Sequence, residues 1–114
     1  MTYGLDIEID SVEERIILRL DGRVEARTAP TLEKKLQTLF AEKRFLILLD
    51  FSRVDYMSSA ALRLLLSASK KAKANGGKII LFSLIDEVME IIRMAGFEQI
   101  LTVCATEQQA IQKS

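Results

Sequence analysis

The sequence predicts an α/β fold: a mixed, mostly parallel sheet of about five strands with four helices, in the order β-β-α-β-α-β-α-β-α. Three observations predict it. The chain opens on an alternating stretch that is followed, after a polar turn, by a second strand-like run; an apolar run without alternation sits mid-chain; and from Pro30 onward helix-period and strand-like segments take turns.

In the first stretch Leu5, Ile7 and Ile9 alternate with Asp6, Glu8 and Asp10. After the turn at Ser11 to Glu14, the run Arg15 to Leu20 places Ile16, Leu18 and Leu20 on one face, which together reads as an antiparallel hairpin. Leu32, Leu36, Leu39 and Phe40 then recur at helical spacing, with Pro30 suited to a first turn and Thr28 or Ala29 near the cap, so a first helix is expected over 30–42. Phe45 to Leu49 is apolar throughout, as befits an interior strand covered on both faces. Asp50 to Met57 reads as a mixed connection. Ser58-Ser59 open a second helix whose shared face is expected to be Leu62, Leu65, Leu66, Ser69 and Ala72, and Asn75-Gly76-Gly77 end it. Lys78 to Phe82 is the next strand. Ser83 with Asp86 matches a capping box, and Val88, Ile91, Ile92 and Ala95 form the stripe of a third helix that stops at Gly96. Ile100 to Val103 is a last strand, and Thr106-x-x-Gln109 caps a terminal helix. Parallel pairing through right-handed crossovers follows from the alternation.

The 114 residues suit one domain, 1–114. Sixteen Lys and Arg balance sixteen Asp and Glu, which argues against direct nucleic-acid binding. With no His, a Ser-His-Asp triad, a Cys-His pair and His-based zinc sites are excluded, and a single Cys cannot close an internal disulfide. Met1 to Asp10 lacks a basic segment followed by an apolar run, and no apolar stretch has the length of a membrane span, so a cytoplasmic setting without membrane insertion is expected. No phosphate-binding glycine motif is present, and no cofactor or metal is expected.

The segment from Asp50 to Arg63 joins the C-terminal end of a buried strand to a helix N-terminus, where open α/β sheets place their sites. Read locally, Ser58 or Ser59 is simply an N-cap. The same position would also stabilise a phosphate on either hydroxyl, with Arg63 one turn beyond Ser59 on the same face. Other patterns carry less. Ser67-Ala68-Ser69-Lys70 fits S-x-x-K but lies mid-helix without the partner motifs of an acyl enzyme, and Lys70, Lys71 and Lys73 suit a solvated helix end. Asp50 at a strand end lacks the acidic pair that would hold magnesium beside an aspartyl phosphate, and Cys104 reads as a packing residue.

Asp50-Phe51-Ser52-x-Val54-x-x-Met57-Ser58-Ser59-Ala60-Ala61-Leu62 resembles the signature of STAS domains, the sulphate-transporter and anti-sigma-factor-antagonist family, whose usual form is D-L-S-x-V-x-x-M/I-D-S-x-G-L. Gly22-Arg23-Val24-Glu25, Thr28-Ala29-Pro30, Gly76-Gly77 and Met94-Ala95-Gly96-Phe97 extend the resemblance over the whole chain. Four positions depart from the family pattern: Ser58 replaces its Asp, Ala60 its Ser or Thr, Ala61 its Gly, and Arg63 its small residue after Leu62. The resemblance implies a regulatory binding module, a substrate and not an enzyme. In that reading the chain is an anti-sigma factor antagonist that binds an anti-sigma factor serine kinase, and phosphorylation of Ser59, with Ser58 as second choice, breaks the complex. It also leaves room for a phosphoserine phosphatase. The contact surface it implies is Met57, Ser58, Ser59, Ala60 and Leu62, flanked by Glu25 and Arg63. The alternative is a constitutive STAS structural subunit of a lipid-transport ATPase or a larger signalling assembly, favoured by the loss of Asp at Ser58.

Overall fold

The computed structural model describes residues 4–114, so the Met1–Tyr3 part of the opening stretch read for a leader lies outside the described residues. Strands β1 (Leu5–Val12) and β2 (Arg15–Val24) form the hairpin, paired from Leu5 opposite Gly22 to Val12 opposite Arg15. Glu13, in the two-residue turn, takes a left-handed φ of 60°. Then follow α1 (Ala29–Ala41), β3 (Leu46–Met57), α2 (Ser59–Ala74), β4 (Lys78–Phe82), α3 (Asp86–Met94), β5 (Thr102–Cys104) and α4 (Glu107–Lys113). The sheet order is β1-β2-β3-β4-β5, antiparallel at β1–β2 and parallel elsewhere.

A parallel sheet whose strands follow one another in sequence order, each crossover turning the same way, keeps its crossover helices on one face. The core divides accordingly. One face carries the large cluster, in which Leu18, Leu49, Phe51 and Leu81 of the sheet meet Leu36 of α1, Leu62 and Leu65 of α2, and Val88 and Ile92 of α3. The other face carries Ile17, Leu48, Ile80, Phe82 and Cys104, covered by Ala110 and Ile111 of α4. The Phe45–Leu49 run is interior as its composition requires: Ile47 and Leu49 face the large cluster, and Leu48 the small one.

Several expectations are corrected. Asp50 to Met57 is not a connection but the second half of β3, which stays paired with β2 as far as Val24 opposite Met57. Along it β3 carries two extra residues: Arg19 to Asp21 of β2 spans Asp50 to Arg53, and Gly22 to Arg23 spans Val54 to Tyr56. Each bulge leaves two neighbouring residues facing outward, Ser52 with Arg53 and Asp55 with Tyr56. That turns the buried spacing from two into three, at Phe51, Val54 and Met57.

The buried face of α2 is Ala61, Leu62, Leu65, Ala68 and Ala72; Leu66 and Ser69 stand at its margin. In α3, Ala95 is exposed and lies past the last turn, while Val88 and Ile92 are buried. The Ser83–Asp86 capping box does not form: Ser83 takes a left-handed φ of 59°, and the cap residue is Ile85. Ile100 precedes β5 and is 57% exposed. The terminal cap does form, with Gln109 N–H donating to Thr106 Oγ1 at 3.2 Å and Ala105 N–H to Gln109 Oε1 at 3.1 Å. Gly77 is required by packing, because a Cβ there would collide with the Phe45 carbonyl across the β3–β4 edge.

Candidate functional site at the start of α2

The long β3 delivers its C-terminal end beside that of β2, so the β2–α1 and β3–α2 junctions lie next to each other. Ser58 N–H donates to the Val24 carbonyl at 2.9 Å, carrying the strand pairing one residue past Met57. Its backbone is then extended (φ −93°, ψ 169°), and its Oγ accepts from Ala61 N–H at 3.3 Å, making Ser58 the N-cap of α2. A serine thus does here what a capping aspartate would. Ser59 occupies the first helical position, exposed to solvent. The first-turn N–H groups have no intrahelical acceptor, and only that of Ala61 is taken by the cap, so the N-terminal end of α2 offers donors and the positive end of its dipole beside Ser59.

The neighbouring junction is tied down by polar contacts. Thr28 Oγ1 donates to the Arg23 carbonyl at 2.6 Å and accepts from Glu25 N–H at 3.0 Å, so this buried threonine braces the loop. Glu25 turns its carboxylate onto its own loop, where Oε1 accepts from Arg27 N–H at 3.0 Å. Beside them the Arg23 guanidinium lies 4.5 Å from the centre of the Tyr56 ring, a pair set by their opposition in the β2–β3 ladder.

Of the side chains expected at the site, Ser58, Ser59, Ala60, Arg63 and Glu25 reach the surface. Met57 and Leu62 do not. Each is only 1% exposed and belongs to the large core, because the second bulge turns Met57 inward and Leu62 lies on the buried stripe of α2. They support the site from beneath and offer no contact surface. Sequence reasoning missed a shallow groove between the N-terminal halves of α1 and α2, lined by Ala26, Ala29, Pro30, Ala60, Arg63 and Leu64 among others. Leu64 is the signal that could have found it, as a leucine off the buried stripe of its helix. Asp50, the residue weighed for an aspartyl phosphate, is buried, accepts from Ser52 N–H at 2.9 Å and pairs with Arg19 at 3.0 Å.

Arg19 gathers three of the ion pairs found among the described residues. It binds Glu107 at 2.8 Å, Asp50 at 3.0 Å and Asp10 at 3.2 Å, joining α4, β3 and β1. Its hydrogen bond to Glu107, reinforced by those to Asp50 and Asp10, raises its pKa above the ordinary arginine value. Asp10 is lowered in turn, first by the Ser11 N–H and then by Arg19. This network lies on the α4 side of the sheet, whereas the Ser59 site opens from the α1–α2 side.

Comparison with known proteins matches residues 6–110 to the family model described as the STAS domain. A Bordetella bronchiseptica protein, BtrV, named for anti-sigma factor antagonism, is 29% identical over 106 residues, covering 93% of this chain and 91% of its own. A Thermotoga maritima structure described as an anti-sigma factor antagonist superposes with a TM-score of 0.87 at 20% identity, covering 94% of this chain and 92% of that one. The Bacillus cell fate determinant SpoIIAA in its phosphorylated form gives a TM-score of 0.71 at 21% identity, covering 95% and 98%.

Proposed function

This chain belongs to the STAS domain family, and on that footing we propose that it is an anti-sigma factor antagonist: a non-enzymatic module that binds an anti-sigma factor serine kinase and is released from it by phosphorylation of Ser59. The observation that carries the reading is the placement of Ser59, exposed at the first position of α2, while Ser58 spends its own hydroxyl on the cap. A phosphate on Ser59 would meet the free N–H groups of the first turn, with Arg63 exposed one turn on. The free protein therefore tolerates the modification. The complex does not, because about two negative charges would be enclosed where a neutral hydroxyl had packed.

The contact surface in this reading is Ser58, Ser59 and Ala60, with Arg63 and Glu25 at its edges and the α1–α2 groove at Leu64 receiving an apolar side chain of the kinase. The capping bond of Ser58 bears on the constitutive-subunit alternative. Replacement of the family aspartate keeps the helix start in place, so the departure that favoured that alternative is accounted for locally. A phosphoserine phosphatase would reset the switch, and a cytoplasmic setting goes with the reading; among the described residues no helix is long and apolar enough to cross a membrane.

The test is to incubate the protein with an anti-sigma factor serine kinase from the same cell and ATP, map the phosphate by mass spectrometry, and measure binding of the variants. One phosphate on Ser59 is expected, with Ser59→Ala unmodified and binding normally, and Ser59→Asp binding about tenfold or more weaker. Phosphate on Ser58 would shift the switch by one residue. Wild-type affinity of Ser59→Asp would overturn the charge switch.

A further inference from the structure

A groove at the opposite end of α2 from Ser59 takes no part in the proposed switch. Leu66, Ser69, Lys70 and Lys73 form one side of it, Ile79 of β4 and Ile100 before β5 the other. It lies beside the starts of β4 and β5 and the last turns of α2. Its volume of about 420 Å³ lies within the range of small-molecule sites.

Three features of this groove point to one chemistry. Its walls are apolar and open: Ile100, a large aliphatic residue, is 57% exposed, and Leu66 is only partly buried at the margin of the α2 stripe. The Ser69 hydroxyl is shut off from solvent and has no hydrogen-bond partner among the described residues, an arrangement that costs free energy until something satisfies it. Lys70, Lys73 and Lys78 line the groove and no carboxylate does; Lys78 Nζ donates to the Lys113 carbonyl at 3.0 Å, and neither Lys70 nor Lys73 forms an ion pair among the described residues. A cation finds no counter-charge here, and a compact polyanion would leave Ile100 and Leu66 in water. An alkyl chain ending in a single negative charge matches both the walls and the rim.

We infer that this groove binds an amphiphilic monoanion of the fatty-acid class. Its chain lies against Leu66, Ile79 and Ile100, and its carboxylate is held by Lys70 and Lys73. The test uses the full chain, isotopically labelled, with amide NMR spectra recorded during titration with sodium decanoate, decanol and decyltrimethylammonium. Decanoate should give saturable shifts centred on Ser69, Ile79, Ile100 and Thr102, leaving Ser59 and Ala60 unmoved. The double variant Lys70→Gln/Lys73→Gln should weaken it about tenfold or more. Ile100→Ser, a change at the surface, should abolish saturation while the unligated spectrum stays folded. Shifts scattered over the surface, affinity for decanol or decyltrimethylammonium equal to that for decanoate, or lysine variants that bind as wild type would each overturn the proposal.

Discussion

The two faces of the sheet are held by different means. On one, three helices bury a continuous apolar cluster that runs from Ile16 to Leu101. On the other, the seven-residue α4 sets Ala110 over five buried residues of the sheet, and beyond that helix the sheet carries Asp6, Glu8, Asp21 and Arg53 in the open, with Arg19 and Asp50 between. A helix of that length has little stability of its own, so α4 depends on Ala110, on its Thr106 cap and on the pull of Arg19 on Glu107. Apolar area secures the first face, whereas the second relies on polar tethers around a small apolar patch. The Ser59 site is built on the apolar-secured face, where the helix start cannot shift without disturbing Met57 and Leu62 beneath it.

The largest test of this contrast is Leu65→Ala. Leu65 is fully buried between α2 and the sheet, and its truncation should cost about 2–5 kcal/mol in denaturant unfolding. A loss under half a kcal/mol would place the principal core elsewhere. A smaller loss is expected from Arg19→Ala, about 1–3 kcal/mol, because Asp50 keeps only its bond from Ser52 N–H and stays mostly buried. That loss should fall unevenly. Amide exchange at Ala110 and Ile111 should speed up more than at Leu65, since α4 opens locally once Glu107 is released while α2 opens only with the whole domain. Equal acceleration at both places would mean that the two faces unfold as one.

The smallest effect is the pH dependence of the Asp10 tether. Its pKa is depressed in the folded state, so its contribution is complete above the ordinary aspartate value of about 3.9 and is lost as pH falls through the lower folded value. Asp10→Asn should therefore be less stable than the parent at pH 7, and the difference should close in acid. A gap that persists undiminished well below pH 3 would show that Asp10 acts through its shape and not its charge.

Much of the fold was legible because alternation in Leu5–Ile9, the unbroken run at Phe45–Leu49 and the helical spacing of Leu32, Leu36 and Leu39 are local signals. The family signature pointed to the candidate site by the same means, a short ordered string of residues. What could not be read depended on partners distant in sequence. The spacing of Phe51, Val54 and Met57 fits no straight strand, and only pairing with the shorter β2 segment from Arg19 to Val24 makes it one. Met57 and Leu62 were misplaced for that reason and for a second one: a family motif does not separate residues that touch a partner from those that hold the motif up. Ser83 took a left-handed turn under the Cys104 carbonyl, which its N–H reaches at 3.3 Å, so its capping pattern with Asp86 went unused. Leu66 and Leu65 are adjacent on the same helix, and which of them is covered depends on how α2 is seated on β3 and β4.

The two bulges of β3 set the reach of the segment before α2. Each adds one outward residue, so Phe51, Val54 and Met57 all stay inward while the strand gains two residues over β2 before Ser59 meets solvent. Removing one residue of an outward pair would undo its bulge: the pair becomes a single outward residue, and Met57 keeps its inward sense. Removing one from each pair would likewise leave the core residues in place and shorten the reach of the site above the sheet. Length in this stretch is thus adjustable one residue at a time at the outward pairs, without turning the core out.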